Sequence, residues 1–150
     1  MGLDMYLSKR IYVGANYEHN NVKGEIKLTR DKKRLKVNLK KVTEIIESVG
    51  YWRKANHIHK WFVNHIQDGE DDCREYYVRK EQLEQLLKDC EAVLKDKNKA
   101  KELLETQKGF FFGGTDYDKY YFDSIKDTIK MIKGILRDKS DGDYYYRSSW

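Results

Sequence analysis

Two extended, tyrosine-rich segments stand near opposite ends of this 150-residue chain, and the periodicity between them is mostly helical. Leu3 to Val13 alternates loosely and is rich in Tyr, Ile and Val, the pattern of a strand. Asp143 to Trp150 reads the same way, through Tyr144-Tyr145-Tyr146-Arg147. Strands this far apart share a sheet only if what lies between them folds back over it. The expectation is a single α+β domain spanning 1–150, with about four or five helices packed on a small antiparallel sheet formed by the N- and C-terminal strands and a basic hairpin. The chain has no proline, no Gly- or Ser-rich linker and no repeat at a period of about 20 to 50 residues, which supports one unit.

Between the two ends the chain reads as follows. A polar loop, Gly14 to Asn21, leads to two half-buried strands, Glu25 to Leu28 and Arg34 to Val37, joined by a turn at Arg30 to Lys33. Asn38 is placed to cap a helix, because Leu39, Val42, Ile45, Ile46 and Val49 follow at helical spacing and Gly50 is placed to end it. Trp52, Ala55, Ile58 or His59, Phe62 and Ile66 predict a second helix over 52–66. A short extended Tyr76-Tyr77-Val78 precedes a helix from about Lys80, with Leu83, Leu86, Leu87, Cys90, Val93 and Leu94 on one side, and Asn98 can restart another through Leu104. Thr115 and Asp118 match a capping box for a last helix carrying Tyr121, Ile125, Ile129, Ile132, Ile135 and Leu136 inward.

Charge is localised. Of 30 Lys and Arg, nine fall between Lys23 and Lys41 against only Glu25 and Asp31, a local +7 in a chain whose net charge is +5. Such a patch attracts phosphate; a solvated hairpin whose lysines protect an edge strand is the plainer reading. Cys73 and Cys90 have no CxxC partner, so both are read as reduced thiols, with Cys90 in the core. No run of about 18 apolar residues offers a membrane span. The start, MGLDMYLSKR, lacks the apolar stretch of a secretory signal, so an intracellular protein is expected.

Two places carry the residue types that bind nucleotides. In Tyr51 to Phe62, helical spacing puts Trp52, Asn56 and His59 on one face and Arg53 beside it. Trp and His stack on bases, Asn pairs with an adenine edge, and Arg meets phosphate. The plainer reading packs these aromatics in the core. The second place is Gly109 to Thr115, where Gly113, Gly114 and Thr115 offer backbone amides ahead of a helix; a simple turn before a capped helix explains the same residues. His57-x-His59 is the wrong spacing for a shared metal on one helical face, and the acidic turn Asp68 to Asp72 has too few ligands for a calcium loop. No metal, cofactor or catalytic residue is expected, because the elbow, zincin, kinase and deaminase signatures are missing from the sequence.

The strings GLDMYL, YWRKANHIHKWF, GFFFGGTDYDKYYFDSIKDTI and YYYRSSW resemble a family of small proteins encoded by bacteriophages and prophages, over nearly the whole chain; the basic hairpin is the part least like it. The size, charge and aromatic content are also similar to those of the counter-defence sponges that sequester cyclic nucleotide signals of host immunity such as the CBASS pathway. This resemblance implies a protein of the host cytoplasm that binds a cyclic dinucleotide without cleaving it, as a homo-oligomer. It also implies Trp52, Arg53, Asn56 and His59 as base and phosphate contacts, amides from Gly113, Gly114 and Thr115, and Tyr145 and Arg147 closing the site. The alternatives are an inhibitor that binds a host protein directly and, ranked below it, a nucleic-acid-binding module using the hairpin.

Overall fold

The computed structural model describes residues 2–14 and 16–150, so Ala15 of the expected polar loop lies outside the described residues. Strands β1 (Asp4–Tyr12), β4 (Glu44–Arg53), β5 (Tyr76–Val78) and β6 (Asp143–Ser149) form one antiparallel sheet in the order β4-β1-β6-β5. Between β1 and β4 lies a separate two-stranded ribbon of β2 (Leu28–Arg30) and β3 (Lys33–Leu35). Four α-helices are found among the described residues: α1 (Asn56–Ile66), α2 (Lys80–Lys95), α3 (Ala100–Leu103) and α4 (Lys119–Arg137). The domain is therefore α+β, and the two chain ends do share a sheet, with Asp4 opposite Ser149 and Arg10 opposite Asp143.

Alternation along β1 decides where the core sits. Leu3, Met5 and Leu7 are buried on one side of the sheet, together with Trp52, Tyr144 and Tyr146 from its neighbours. Side chains of successive residues point to opposite faces. The helices cover this inner face through Ile58 and Phe62 of α1, Leu86 and Cys90 of α2, and Ile125 and Ile132 of α4. Phe62 stacks on Tyr146 at 3.9 Å between centroids and 4° between planes. Lys9 continues the inward register, its stem buried and its ammonium bonded to Asp138 just after α4 at 2.8 Å and to Ser140.

Three sequence expectations are corrected. Residues Leu39 to Val49 do not form a helix: after a single 3-10 turn at Leu39–Lys41, which Asn38 caps by accepting from the Lys40 amide, the chain enters β4. Its Ile and Val content suits a strand, and the free edge of β1 supplies the partner that periodicity alone does not reveal. The helix expected from Trp52 begins at Asn56, because Trp52 and Arg53 finish β4 and Lys54 turns the chain at φ 54°. The basic hairpin exists, but with shorter, exposed strands and outside the main sheet. In addition, Asp118 rather than Thr115 caps α4, accepting from the Tyr121 amide at 3.0 Å, and Asp96 rather than Asn98 opens the turn before α3.

Gly50, expected to end a helix, is an inward position of β4 beside a register shift that leaves Val49 between Gly50, opposite Leu7, and Ser48, opposite Ser8. A Cβ here would lie 2.8 Å from Met131 Sδ and 3.1 Å from Leu7 Cβ. Gly50→Val therefore overpacks the contact between β4 and α4 and is expected to destabilise the fold by about 1–3 kcal/mol, read as a lower urea midpoint with an unchanged slope.

Candidate functional site

The nine side chains and amides singled out in the sequence separate into two groups. Trp52 is 5% exposed and donates from Nε1 to Thr128 Oγ1 at 2.9 Å. Asn56 is buried and makes three bonds to its own chain: Nδ2 to the carbonyls of Phe112 and Gly114, at 3.2 and 2.8 Å, and Oδ1 from the Gln107 amide at 3.0 Å. His59 is fully buried, with Nε2 2.9 Å from Asp71 and Nδ1 2.8 Å from the Tyr146 hydroxyl. A carboxylate accepts, so Nε2 carries the proton and Tyr146 donates to Nδ1. Gly113, at φ 93°, lets the loop lie against Lys54, whose carbonyl oxygen would be 3.0 Å from a Cβ there. The Gly114 and Thr115 carbonyls accept from Asn56 and Thr106. Asn56 fastens the 107–114 segment to α1, Trp52 ties β4 to α4 and His59 ties α1 to β6, and the free amides expected from a helix starting at Thr115 are not there, because α4 starts at Lys119.

Arg53, Tyr145 and Arg147 form the second group. They point outward from β4 and β6, on the sheet face opposite the helices, where sequence reasoning missed their companions Tyr6, Arg10, Tyr12, Tyr51 and Tyr77. The signal was present in β1, where Asp4, Tyr6, Ser8, Arg10 and Tyr12 occupy the positions that alternate with the inward ones. Tyr12, Tyr51 and Tyr77 remain 40%, 46% and 53% exposed.

Tyrosine and arginine are arranged here in two stations. In the first, Tyr6 and Tyr51 lie 5.5 Å apart and the Arg147 guanidinium sits 5.3 Å from the Tyr6 ring. In the second, Tyr77 and Tyr145 lie 5.7 Å apart and the Arg10 guanidinium sits 4.6 Å from the Tyr145 ring. The Tyr12 and Tyr145 hydroxyls are bonded at 2.9 Å, which, with partial burial, pushes the Tyr145 phenol up to about 12, so it stays neutral. A depression of about 360 Å³ touches both stations, lined by Tyr6 and Arg147 of the first and Arg10 of the second, with Ser8, Ser48 and Glu75 among its other walls. Arg10 bonds to Glu75 through one terminal nitrogen, while its Nε is buried without a partner among the described residues. Aromatic faces, guanidinium donors, hydroxyls and one carboxylate are what a ligand made of bases and phosphates can use.

One Ser–His contact stands elsewhere. Ser124 Oγ lies 2.8 Å from His57 Nε2 and 2.8 Å from the Tyr121 carbonyl oxygen. The carbonyl only accepts, so Ser124 donates its single proton there and receives one from His57. In this arrangement His57 does not activate Ser124 as a nucleophile. Among the described residues no helix is long and apolar enough to cross a membrane, and no cluster of three His, Cys, Asp or Glu could hold a metal.

The fold and this face together define an α+β domain with a one-sided sheet whose uncovered face is lined by Tyr and Arg. Comparison of the chain with protein-family models, with curated proteins and with solved structures finds no match.

Burial pushes His57 down to about 3 and lowers His59 as well, there against the opposing pull of Asp71. Both are neutral in the fold, and the unfolded chain takes up protons first as pH falls below 6.5. The His57 contribution to stability is thus full above pH 6.5 and is lost toward pH 3, by up to about 1.4 kcal/mol per pH unit, and His59 adds to the fall in the same direction. Urea unfolding across this window is expected to show that fall, with a shallower slope in His57→Gln.

Proposed function

We propose that the protein captures a cyclic dinucleotide on the open face of its sheet and releases it intact, a sequestering role of the counter-defence type. The observation that carries this reading is the pair of Tyr–Tyr–Arg stations joined by one depression that Tyr6, Arg147 and Arg10 line. A ligand with two bases and two phosphates offers each station one ring to stack and one anion to bind. Tyr6 and Tyr145 are diagonal neighbours across β1 and β6, a spacing of about 7–8 Å between backbones. The buried, unpartnered Arg10 Nε lies beside this depression with a donor to offer an oxygen. Capture without turnover needs enclosure and no activated nucleophile. Enclosure is supplied by a second copy closing over the same face, with the two-fold symmetry that a symmetric ligand favours. The residues implied by the resemblance contribute unequally: Tyr145 and Arg147 contact the ligand, Arg53 lies on the same face outside the two stations, and Trp52, Asn56 and His59 hold the sheet and its loops in shape.

Calorimetric titration with cyclic di- and trinucleotides, linear nucleotides and short DNA tests this. Tight binding of a cyclic dinucleotide is expected, with the same compound recovered after digestion of the protein and a doubling of mass in sedimentation. Arg147→Ala and Tyr6→Ala are expected to weaken binding at least tenfold while the melting temperature stays within a few degrees. A cleaved product would make the protein an enzyme, and no nucleotide binding would leave direct inhibition of a host protein as the reading to pursue.

A further inference from the structure

The segment between β1 and β4 contributes nothing to the core. Not one of the described residues between Val13 and Gly50 is buried, and the segment is closed at its root by a ladder bond from the Val13 amide to the Thr43 carbonyl at 2.9 Å. It carries the local +7 noted above, and only Lys27 of its nine cations has an ion pair among the described residues, with Glu25 at 3.2 Å. A two-stranded ribbon alone is marginal in water.

This ribbon is further burdened by its own charges. Arg30 stands directly opposite Lys33 in the ladder, a like-charged pair that repels. The two-residue turn, Asp31 at φ 50° and Lys32 at φ 62°, has the left-handed backbone of a hairpin turn in which glycine is unstrained, yet a lysine occupies the tip. The cations also lie on both faces: Arg30 and Lys33 share one face with Leu28 and Leu35, while Arg34, opposite Thr29, lies on the other. A flat acidic surface would neutralise one face and leave the other exposed. A groove flanked by phosphates on both sides meets both, and the major groove of a duplex admits a two-stranded ribbon.

We propose that the arm between β1 and β4 docks into the groove of a duplex nucleic acid, with Arg30, Lys33 and Arg34 on the phosphates and Lys32 at the leading tip. The polyanion relieves the Arg30–Lys33 repulsion, so the ribbon is ordered by its partner. This site is separate from the open face of the sheet and does not depend on what that face binds.

The test uses the full chain, a labelled 20-base-pair DNA duplex of arbitrary sequence, the matching RNA duplex and polyglutamate as an acidic-protein probe. Binding to at least one duplex is expected, falling steeply as salt is raised from 50 to 200 mM. The triple variant Arg30→Gln, Lys33→Gln, Arg34→Gln is expected to keep the melting temperature and cyclic-dinucleotide behaviour of the parent, to lose at least tenfold in duplex affinity, and to reduce the log–log salt slope by about three. A second variant, with residues 25–37 replaced by a short Gly-Ser turn above the Val13–Thr43 root, is expected to abolish duplex binding with the fold intact. The proposal is overturned if neither duplex binds at 50 mM salt, if the variants bind duplex as well as the parent, or if polyglutamate binds as tightly as the duplexes.

Discussion

The ladder between β1 and β6 is the interaction on which the other parts of the domain rest. It joins residues more than a hundred positions apart and puts the last strand inside the sheet, with β1 on one side and β5 on the other. Among the described residues strand β5 pairs with β6 alone, and it joins the sheet there as the edge strand. The inward side chains of β6 then serve the core twice: Tyr146 stacks on Phe62 and donates to His59, and Tyr144 packs beside it. Asp71 completes the arrangement by accepting from His59, Gln107 and Trp150, so that helix α1, the loop after α3 and the residue after β6 meet at one carboxylate.

Covering the sheet on one side only has a second effect. The same four strands that supply Leu3, Met5, Trp52 and Tyr146 to the core present Tyr6, Arg10, Tyr145 and Arg147 to solvent. Backbone geometry set by the buried residues thereby fixes the spacing of the outward ones, which puts these side chains on rigid elements rather than on loops. The buried polar residues support this division. Asn56 spends its amide on the 107–114 segment, and Trp52 on Thr128, so neither has a donor left for a ligand.

Much of this fold is legible in the sequence, and the exceptions have physical causes. Strands β1, β5 and β6 and helices α2 and α4 follow from local pattern, because each has a consistent apolar face of the expected period. The region Leu39 to Val49 does not, since Val42, Ile45, Ile46 and Val49 fit a helical stripe as well as a strand, and pairing with β1 decides between them. That displacement moves Trp52 and Arg53 from a helix to opposite faces of a strand and so separates residues that the helical reading had grouped. Tyr145 and Arg147 were singled out from the sequence, but their neighbours on the sheet face were not. Tyr6 and Arg10 meet them only through a register that no local window contains.

The arm between β1 and β4 stands outside all of these dependencies, and this gives it a different evolutionary freedom. Substitutions in the core draw on a folding free energy that is small in any domain of this size, so most are removed by selection before they can explore new binding. Residues with no buried contact, tethered at a single root, carry no such penalty. They can drift in length, charge and sequence while the domain beneath them stays folded. Relatives of this chain are therefore expected to diverge fastest between Val13 and Thr43, and an exchange of this segment between them would leave the fold of each in place.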